Sequence, residues 1–291
     1  MSENLHCLPS GLPVVRLLAP DGASATVALH GGHVLSWVPA GGRECLYLSP
    51  RSGYAPGQAI RGGVPVIFPQ FSDRGPLKRH GFARVVPWQL TQQSTADDAA
   101  TALLRLGDSA QTRAFWPHAF ALELTVRVGG DSLSIALRCR NTGDAEFSFQ
   151  AALHSYFRVD ALARCWLAGL DDRPYLDALT QAGQRQAGDI AFGRGDLDRV
   201  YAGPSPGPLR LSQAGDGSRP ERQLQISQQG FDDVVVWNPG ADKCAALADM
   251  PPDGWQHMVC VEAARIHAPV CLAPAQAWCG TQQLRSIATA A

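Results

Sequence analysis

The sequence predicts an all-β fold, a single large antiparallel β-sandwich spanning residues 1–291. Three observations carry this expectation. Apolar and polar residues alternate with period two in short runs, the pattern of a strand with one face in a core. Those runs recur roughly every ten residues, the spacing typical of meanders and sandwiches. Between them, 29 glycines and 21 prolines supply turns, and long helical periodicity is nearly absent.

Taken in order, SATVALH (24–30) and ECLYL (44–48) open the series, and ALLRL (102–106) continues it. FALELTVRV (120–128) and SLSIALRCR (132–140) are two alternating runs around a short Gly-rich connection, which reads as a hairpin. EFSFQAAL (146–153) adds aromatics, LQISQ (224–228) alternates again, and DVVVW (233–237) is β-branched through its centre. The stretch AGPSPGPLRLSQAGDGSRPER (202–222) is rich in Pro, Gly and Ser and is expected to be a long surface loop. No repeat, low-complexity tract or linker divides the chain, so one domain is expected.

Composition narrows the function. With 25 basic and 26 acidic side chains the protein has no broad basic face for nucleic acid or an anionic membrane surface. Apolar stretches such as VPVIF and DVVVW fall far short of the roughly 20 residues that span a bilayer. The N-terminus has no charged segment followed by an apolar core, and a cytoplasmic location is expected. Eight scattered cysteines without a CxxC pair read as buried free thiols rather than disulfides or a zinc site.

Against this even charge balance, residues 60–88 (IRGGVPVIFPQFSDRGPLKRHGFARVVPW) concentrate Arg61, Arg74, Lys78, Arg79, His80 and Arg84 beside one acid, Asp73. Arginine forks match phosphate or carboxylate oxygens two at a time, so the cluster points to a small anionic ligand. Two further residues sit where a solvated side chain is out of place. His154 lies in FSFQAALHSYFRV, as either a core histidine satisfied by a backbone carbonyl or an acid–base group. Glu262 lies in MVCVEAA, as either the partner of Arg265 or a carboxylate tuned by burial. Together they suit proton transfer near neutral pH.

Asp198 in LDRVY is either a turn residue or a ligand contact, and Asp232 and Asp233 read as strand-start residues. Trp37, Phe68, Phe71, Tyr156 and Trp237 are core candidates, with one or two available to stack on a sugar ring. His33 and His118 are read as structural. The nucleotide-loop glycine patterns, GxSxG and HExxH are absent, and nothing in the spacing requires a metal.

Across nearly the whole chain, the ordered segments GGHVLSWVPAG, LYLS, IRGGVPVIFPQF, HGFAR with Trp88, FWPHAF, ALHSYFRV, LDRVY, DVVVWNPG, LADMPPDGWQHMVCVEAA and AWCGTQQL resemble the glucose-6-phosphate 1-epimerases of the aldose 1-epimerase superfamily. The resemblance implies a large antiparallel β-sandwich that interconverts the anomers of a hexose 6-phosphate, as a monomer without cofactor or metal. It implies His154 and Glu262 as the catalytic pair, Arg61 and Arg84 as phosphate or substrate contacts, and Asp198 as a holder of sugar hydroxyls. Arg79 and His80 share the Arg84 loop and are candidate substrate contacts. Here the chain departs from the family, which often has Leu-Pro-x-His-Gly with Gln before the His, where this sequence reads Leu77-Lys78-Arg79-His80-Gly81. Two other readings compete: a non-catalytic binding module for sugars or sugar phosphates, and a glycoside hydrolase pairing Glu262 with Asp198.

Overall fold

Period-two patterning resolves into three antiparallel sheets in a computed structural model that describes residues 5–8, 10–205, 207–215 and 220–287. A nine-stranded sheet runs in the order Ile190–Ala191, Cys165–Ala168, Leu209–Ala214, Pro220–Gln229, Ala277–Ile287, Ser132–Asn141, Phe120–Gly129, Ala99–Gly107 and Gln89–Ala96. Facing it, an eight-stranded sheet runs Ala182–Arg185, Pro174–Asp177, Leu197–Tyr201, Asp233–Asn238, Met258–Leu272, Phe147–Leu153 and Val66–Ile67. Tyr156–Arg158 also pairs with Met258–Leu272, completing this sheet. A smaller sheet of Leu5–Cys7, Pro13–Leu18, Ser24–Ala28 and His33–Val38 stands beside them.

The core is continuous between the two large sheets. Leu153, Val234, Val236, Val261 and Ala263 from one meet Leu122, Leu124, Ile135, Leu137 and Leu284 from the other, all essentially inaccessible to water. Two polar side chains that enter this layer, Ser155 and Gln282, pair across it. Ser155 Oγ donates to Gln282 Oε1 at 2.5 Å, and Gln282 Nε2 donates to the Val261 carbonyl at 3.2 Å. Such satisfied groups avoid the desolvation cost of a lone buried donor or acceptor.

The sequence-based hairpin is present as Phe120–Gly129 and Ser132–Asn141, which pair residue for residue from Gly129 with Ser132 to Phe120 with Asn141. The expected surface loop over 202–222 is not a loop throughout. It contains the strand Leu209–Ala214 and the start of Pro220–Gln229. Leu209 and Leu211 alternate inward and are buried, so their period outweighs the Pro and Gly around them. Two short helices, Ala110–Phe115 and Gly240–Ala246, have fewer than three turns and leave too little periodicity to read in sequence.

The eight cysteines are free thiols; five are buried as expected, while Cys7, Cys271 and Cys279 are exposed. Among the described residues no helix is long and apolar enough to cross a membrane.

Candidate active site

Register places the candidate residues on the outer face of the eight-stranded sheet. Residues paired across antiparallel strands project to the same side. One row consists of Tyr156, Cys260, Trp237 and Asp198, each paired with the next. The adjacent row carries Glu262, Val235 and Val200. The pairing of Leu153 with Ala263 brings the next residue, His154, to Glu262. Around them Ile67, Phe71, Ala152, Val200, Val235, Ala264 and Ile266 form a separate apolar cluster. The site is therefore polar chemistry set in a patch of low polarity.

His154 Nε2 lies 3.3 Å from Glu262 Oε1, and both side chains are almost fully buried. His154 Nδ1 and Glu262 Oε2 have no hydrogen-bond partner. The carbonyl partner that a core histidine would use is therefore not there. Arg265 is not the partner of Glu262 either, because it forms its ion pair with Asp232. Burial holds the Glu262 carboxyl well above the usual carboxylate range, and the nearby Asp198 charge pushes the same way. Burial, followed by His80, Arg84 and Arg61, holds His154 well below the ordinary imidazole value. Both shifts favour a pair that carries one shared proton and no net charge.

Rings fix the imidazole. Tyr156 stacks on His154 with centroids 4.8 Å apart and planes 10° from parallel. His80 and Trp237 present edges at 5.5 and 5.9 Å. His80 is buried, accepts a hydrogen bond at Nδ1 from the Ser72 backbone at 3.2 Å, and adopts a left-handed backbone with φ of 66°. Such a φ is unfavourable for a non-glycine residue. Burial, with Arg84, Arg79 and Arg61 adding to it, drives its pKa to about 2, so it acts as a neutral ring. Gly81 follows with φ of 68°, and a Cβ there would strike the Phe68 carbonyl, so only glycine lets the His80 turn pack under Phe68.

Above the rings stand two guanidinium groups. Arg61 is brought in by Gly62, whose φ of 108° and close approach to the Tyr47 carbonyl exclude a side chain. Its Nη1 donates to Tyr156 Oη at 3.1 Å, and its Nε donates to Asp249 Oδ2 at 3.1 Å. Arg84 follows the same charged loop. Its Nη2 donates to the Arg79 carbonyl at 3.0 Å, while its Nε is buried without a partner. Burial, with the repulsion of Arg61 and Arg79, pulls Arg84 down to about 10. It is a cation short of a counter-charge.

The remaining loop residues separate into two groups. Arg79 is exposed and its side chain is paired with Asp73 at 3.0 Å, so it contributes to Arg84 through its backbone. Arg74 and Lys78 are also exposed. Asp198 sits within a strand rather than a turn, half-buried, its carboxyl raised by desolvation against the pull of Lys243 and Arg79. Of the aromatics, Trp37 and Phe68 belong to the core, whereas Phe71, Tyr156 and Trp237 line the site. His33 is buried and bonds the Gly62 carbonyl through Nε2 at 2.7 Å, which steadies the Arg61 turn.

Sequence reasoning missed Asp249. It counted one acid beside six basic groups, but the carboxylate facing Arg61 comes from 188 residues further along. No local pattern marks it. Among the described residues no group of three or more metal-ligating side chains is assembled.

Comparison with known proteins gives a consistent result. The aldose 1-epimerase family profile matches residues 13–285. A protein of Cenchrus ciliaris, provisionally named a glucose-6-phosphate 1-epimerase, is 33% identical over 289 residues, covering 96% of this chain and 86% of its own length. A protein of Escherichia coli K12 with the same provisional name is 37% identical over 243 residues, covering 82% and 79%. The crystal structure of a provisionally named mutarotase from Salmonella typhimurium superposes with a TM-score of 0.87 at 31% identity, covering 96% of this chain and 91% of that one. Matched over most of its length and more than 30% identical to relatives that span it, the chain belongs to the aldose 1-epimerase family.

Proposed function

We propose that this protein interconverts the α and β anomers of an aldohexose 6-phosphate, with glucose 6-phosphate as the substrate, through proton transfer by His154 and Glu262. One observation carries the reading: His154 Nδ1, Glu262 Oε2 and Arg84 Nε are buried polar atoms without partners, and Arg84 is close enough for its charge to act on both His154 and Glu262. Buried polar atoms left unpaired are costly, and a ligand rich in hydroxyls with one anionic group would satisfy all three. The names of the relatives point to the same substrate class.

Ring opening needs a proton taken from O1–H and another given to the ring oxygen. As the C1–O5 bond breaks, the O1 electrons form the aldehyde. Glu262 takes the O1 proton and His154 gives one to O5. After rotation about C1–C2 the ring closes on the other carbonyl face with the roles exchanged. The pair begins and ends with one proton, which matches a coupled couple in which each partner shifts toward neutrality. Transfer between Nε2 and Oε1 supplies the ionised arrangement from the neutral one. Asp198, with His80, is assigned to sugar hydroxyls, and Arg84 with the outward N–H groups of Arg61 to the phosphate. Arg79 joins them through its backbone hold on Arg84. Tyr156 and Trp237 give the sugar a ring surface.

A sugar phosphate is charged and does not cross a bilayer unaided, so a cytoplasmic location goes with this substrate.

The test is anomer-resolved NMR exchange on glucose 6-phosphate and on glucose. Exchange faster than in buffer, without new products, is expected for the sugar phosphate. Release of a leaving group from a glycoside would identify a hydrolase, and binding without exchange would identify a binding module; either overturns the reading. Arg84→Gln removes a charge-assisted contact worth about 1.5–3 kcal/mol, so kcat/KM for glucose 6-phosphate should fall about 10- to 150-fold. The loss on glucose should be clearly smaller, and equal losses on both sugars would refute phosphate recognition by Arg84.

A further inference from the structure

We propose that Asp249 is a positioning residue that fixes the plane of the His154 imidazole through Arg61 and Tyr156, a role that rests on the acid–base assignment above. The chain of contacts is continuous. Asp249 Oδ2 accepts a hydrogen bond from Arg61 Nε at 3.1 Å and lies 3.1 Å from Nη2 as an ion pair. Arg61 Nη1 donates to Tyr156 Oη at 3.1 Å. The Tyr156 ring lies flat on His154, whose Nε2 faces Glu262.

The first link is held from behind. Ser49 is buried and bonds both ends of the ion pair: its Oγ donates to the Asp249 carbonyl at 2.6 Å, and its backbone N–H donates to the Arg61 carbonyl at 3.0 Å. Residues far apart in sequence are thereby pinned at their main chains, leaving little freedom to the side chains between them.

The need for this device follows from what His154 lacks. A catalytic histidine is commonly oriented by a hydrogen bond at its second nitrogen. Here Nδ1 is left to the ligand and Nε2 faces only Glu262, itself a reacting group, so packed rings set the orientation instead. Among those rings only Tyr156 lies face to face, and its hydroxyl bonds Arg61. Arg61 in turn stands near Arg84, a like charge that would push it aside. Asp249 opposes that push with a hydrogen bond from Nε and an ion-pair contact to Nη2 of the same guanidinium. It also takes up part of the Arg61 charge, which leaves Arg84 as the less neutralised of the two cations. Proton transfer tolerates angular errors of only about 10–20°, so a loosened ring costs turnover more than binding.

The experiment uses Asp249→Ala, Asp249→Glu, Tyr156→Phe and the Asp249→Ala/Tyr156→Phe double variant in the full chain. Asp249→Ala should lower kcat about tenfold on both glucose 6-phosphate and glucose, and Asp249→Glu should recover part of it. Tyr156→Phe keeps the stacked ring but cuts its tie to Arg61. In that background Asp249→Ala should cost less than about a further twofold, because residues acting in one chain are not additive. The His154 ring signals in nitrogen-detected NMR should move in the same direction in both single variants. Should Asp249→Ala fail to fold, Asp249→Asn keeps the side-chain shape and should show a smaller loss of the same kind.

Three results would overturn the proposal: a loss confined to KM for glucose 6-phosphate, independent multiplicative losses in the double variant, or unmoved His154 signals. If the unsubstituted protein exchanges the anomers of neither sugar, the functional reading fails on its own, and the NMR signals still decide whether Asp249 positions His154.

Discussion

Two faces of one sheet contrast within three residues. On Met258–Leu272, Val261 and Ala263 point into the sandwich, while Glu262 between them points to the outer face, and all three are buried to nearly the same degree. Burial alone therefore does not separate core from site. What differs is how the polar atoms beside these residues are treated. Inside, Ser155 and Gln282 satisfy one another and a carbonyl across the layer. Outside, His154, Glu262 and Arg84 each keep a buried polar atom without a partner, and the apolar cluster around the first two denies them water. The inner face is arranged for stability, and the outer face holds groups whose ionisation is unsettled by burial. Such an arrangement costs stability and suits proton transfer.

The contrast breaks first at Glu262 and His154. Glu262→Gln and His154→Ala should each lower anomer exchange by about 10²–10⁴-fold. Melting at pH 7 should be unchanged or higher for Glu262→Gln. The folded Glu262 binds its proton more tightly than the unfolded chain does, so its stabilising effect is full below about pH 4.5. It is lost as pH rises through the raised folded value, and glutamine removes that penalty. Normal exchange in either variant, or a lowered melting temperature for Glu262→Gln, would dissolve the distinction between the faces.

The opposite behaviour is expected on the inside. Leu137 is fully buried in the nine-stranded sheet, away from the site. Leu137→Ala should cost about 2–5 kcal/mol of stability by leaving a cavity, read by denaturant unfolding. Exchange per folded molecule should stay as it was. A change in kcat comparable to that of a site variant would show that the inner face is coupled to the chemistry.

The smallest effect is in pH. With His154 held below its ordinary value and Glu262 above its own, the singly protonated pair persists across the neutral range. Free glucose is the better probe, since the phosphate of glucose 6-phosphate titrates itself near pH 6. The kcat/KM for glucose should vary by less than about twofold between pH 6 and 8, with the acid limb below the ordinary imidazole value of about 6.5. A fall centred at 6.5 would mean that His154 is solvated, and that the outer face is not the low-polarity patch described above.

Much of this was legible because it is local. The alternation in FALELTVRV and SLSIALRCR specifies strands and their hairpin without reference to the rest of the chain. His154 and Glu262 stand out because a titratable residue in an apolar run must be paired, neutralised or functional. The RGG and HG turns did not stand out in the same way, because the positive φ that requires glycine there shows only in the folded backbone. The loop expected over 202–222 failed because its local Pro and Gly content hides the central strand Leu209–Ala214. Asp249 was hidden for the reverse reason: an ordinary acid in sequence, it acquires meaning only beside Arg61.

By itself the sequence determined the all-β class, the concentration of positive charge in 60–88, and the titratable residues held in apolar surroundings. Only the tertiary structure decided their partners: Glu262 with His154 rather than Arg265, Arg79 with Asp73, and Arg61 with Asp249. The reason is physical. Period and burial are properties of neighbouring residues, whereas the partner of a charge is set by strand register and loop packing between segments as much as 188 residues apart.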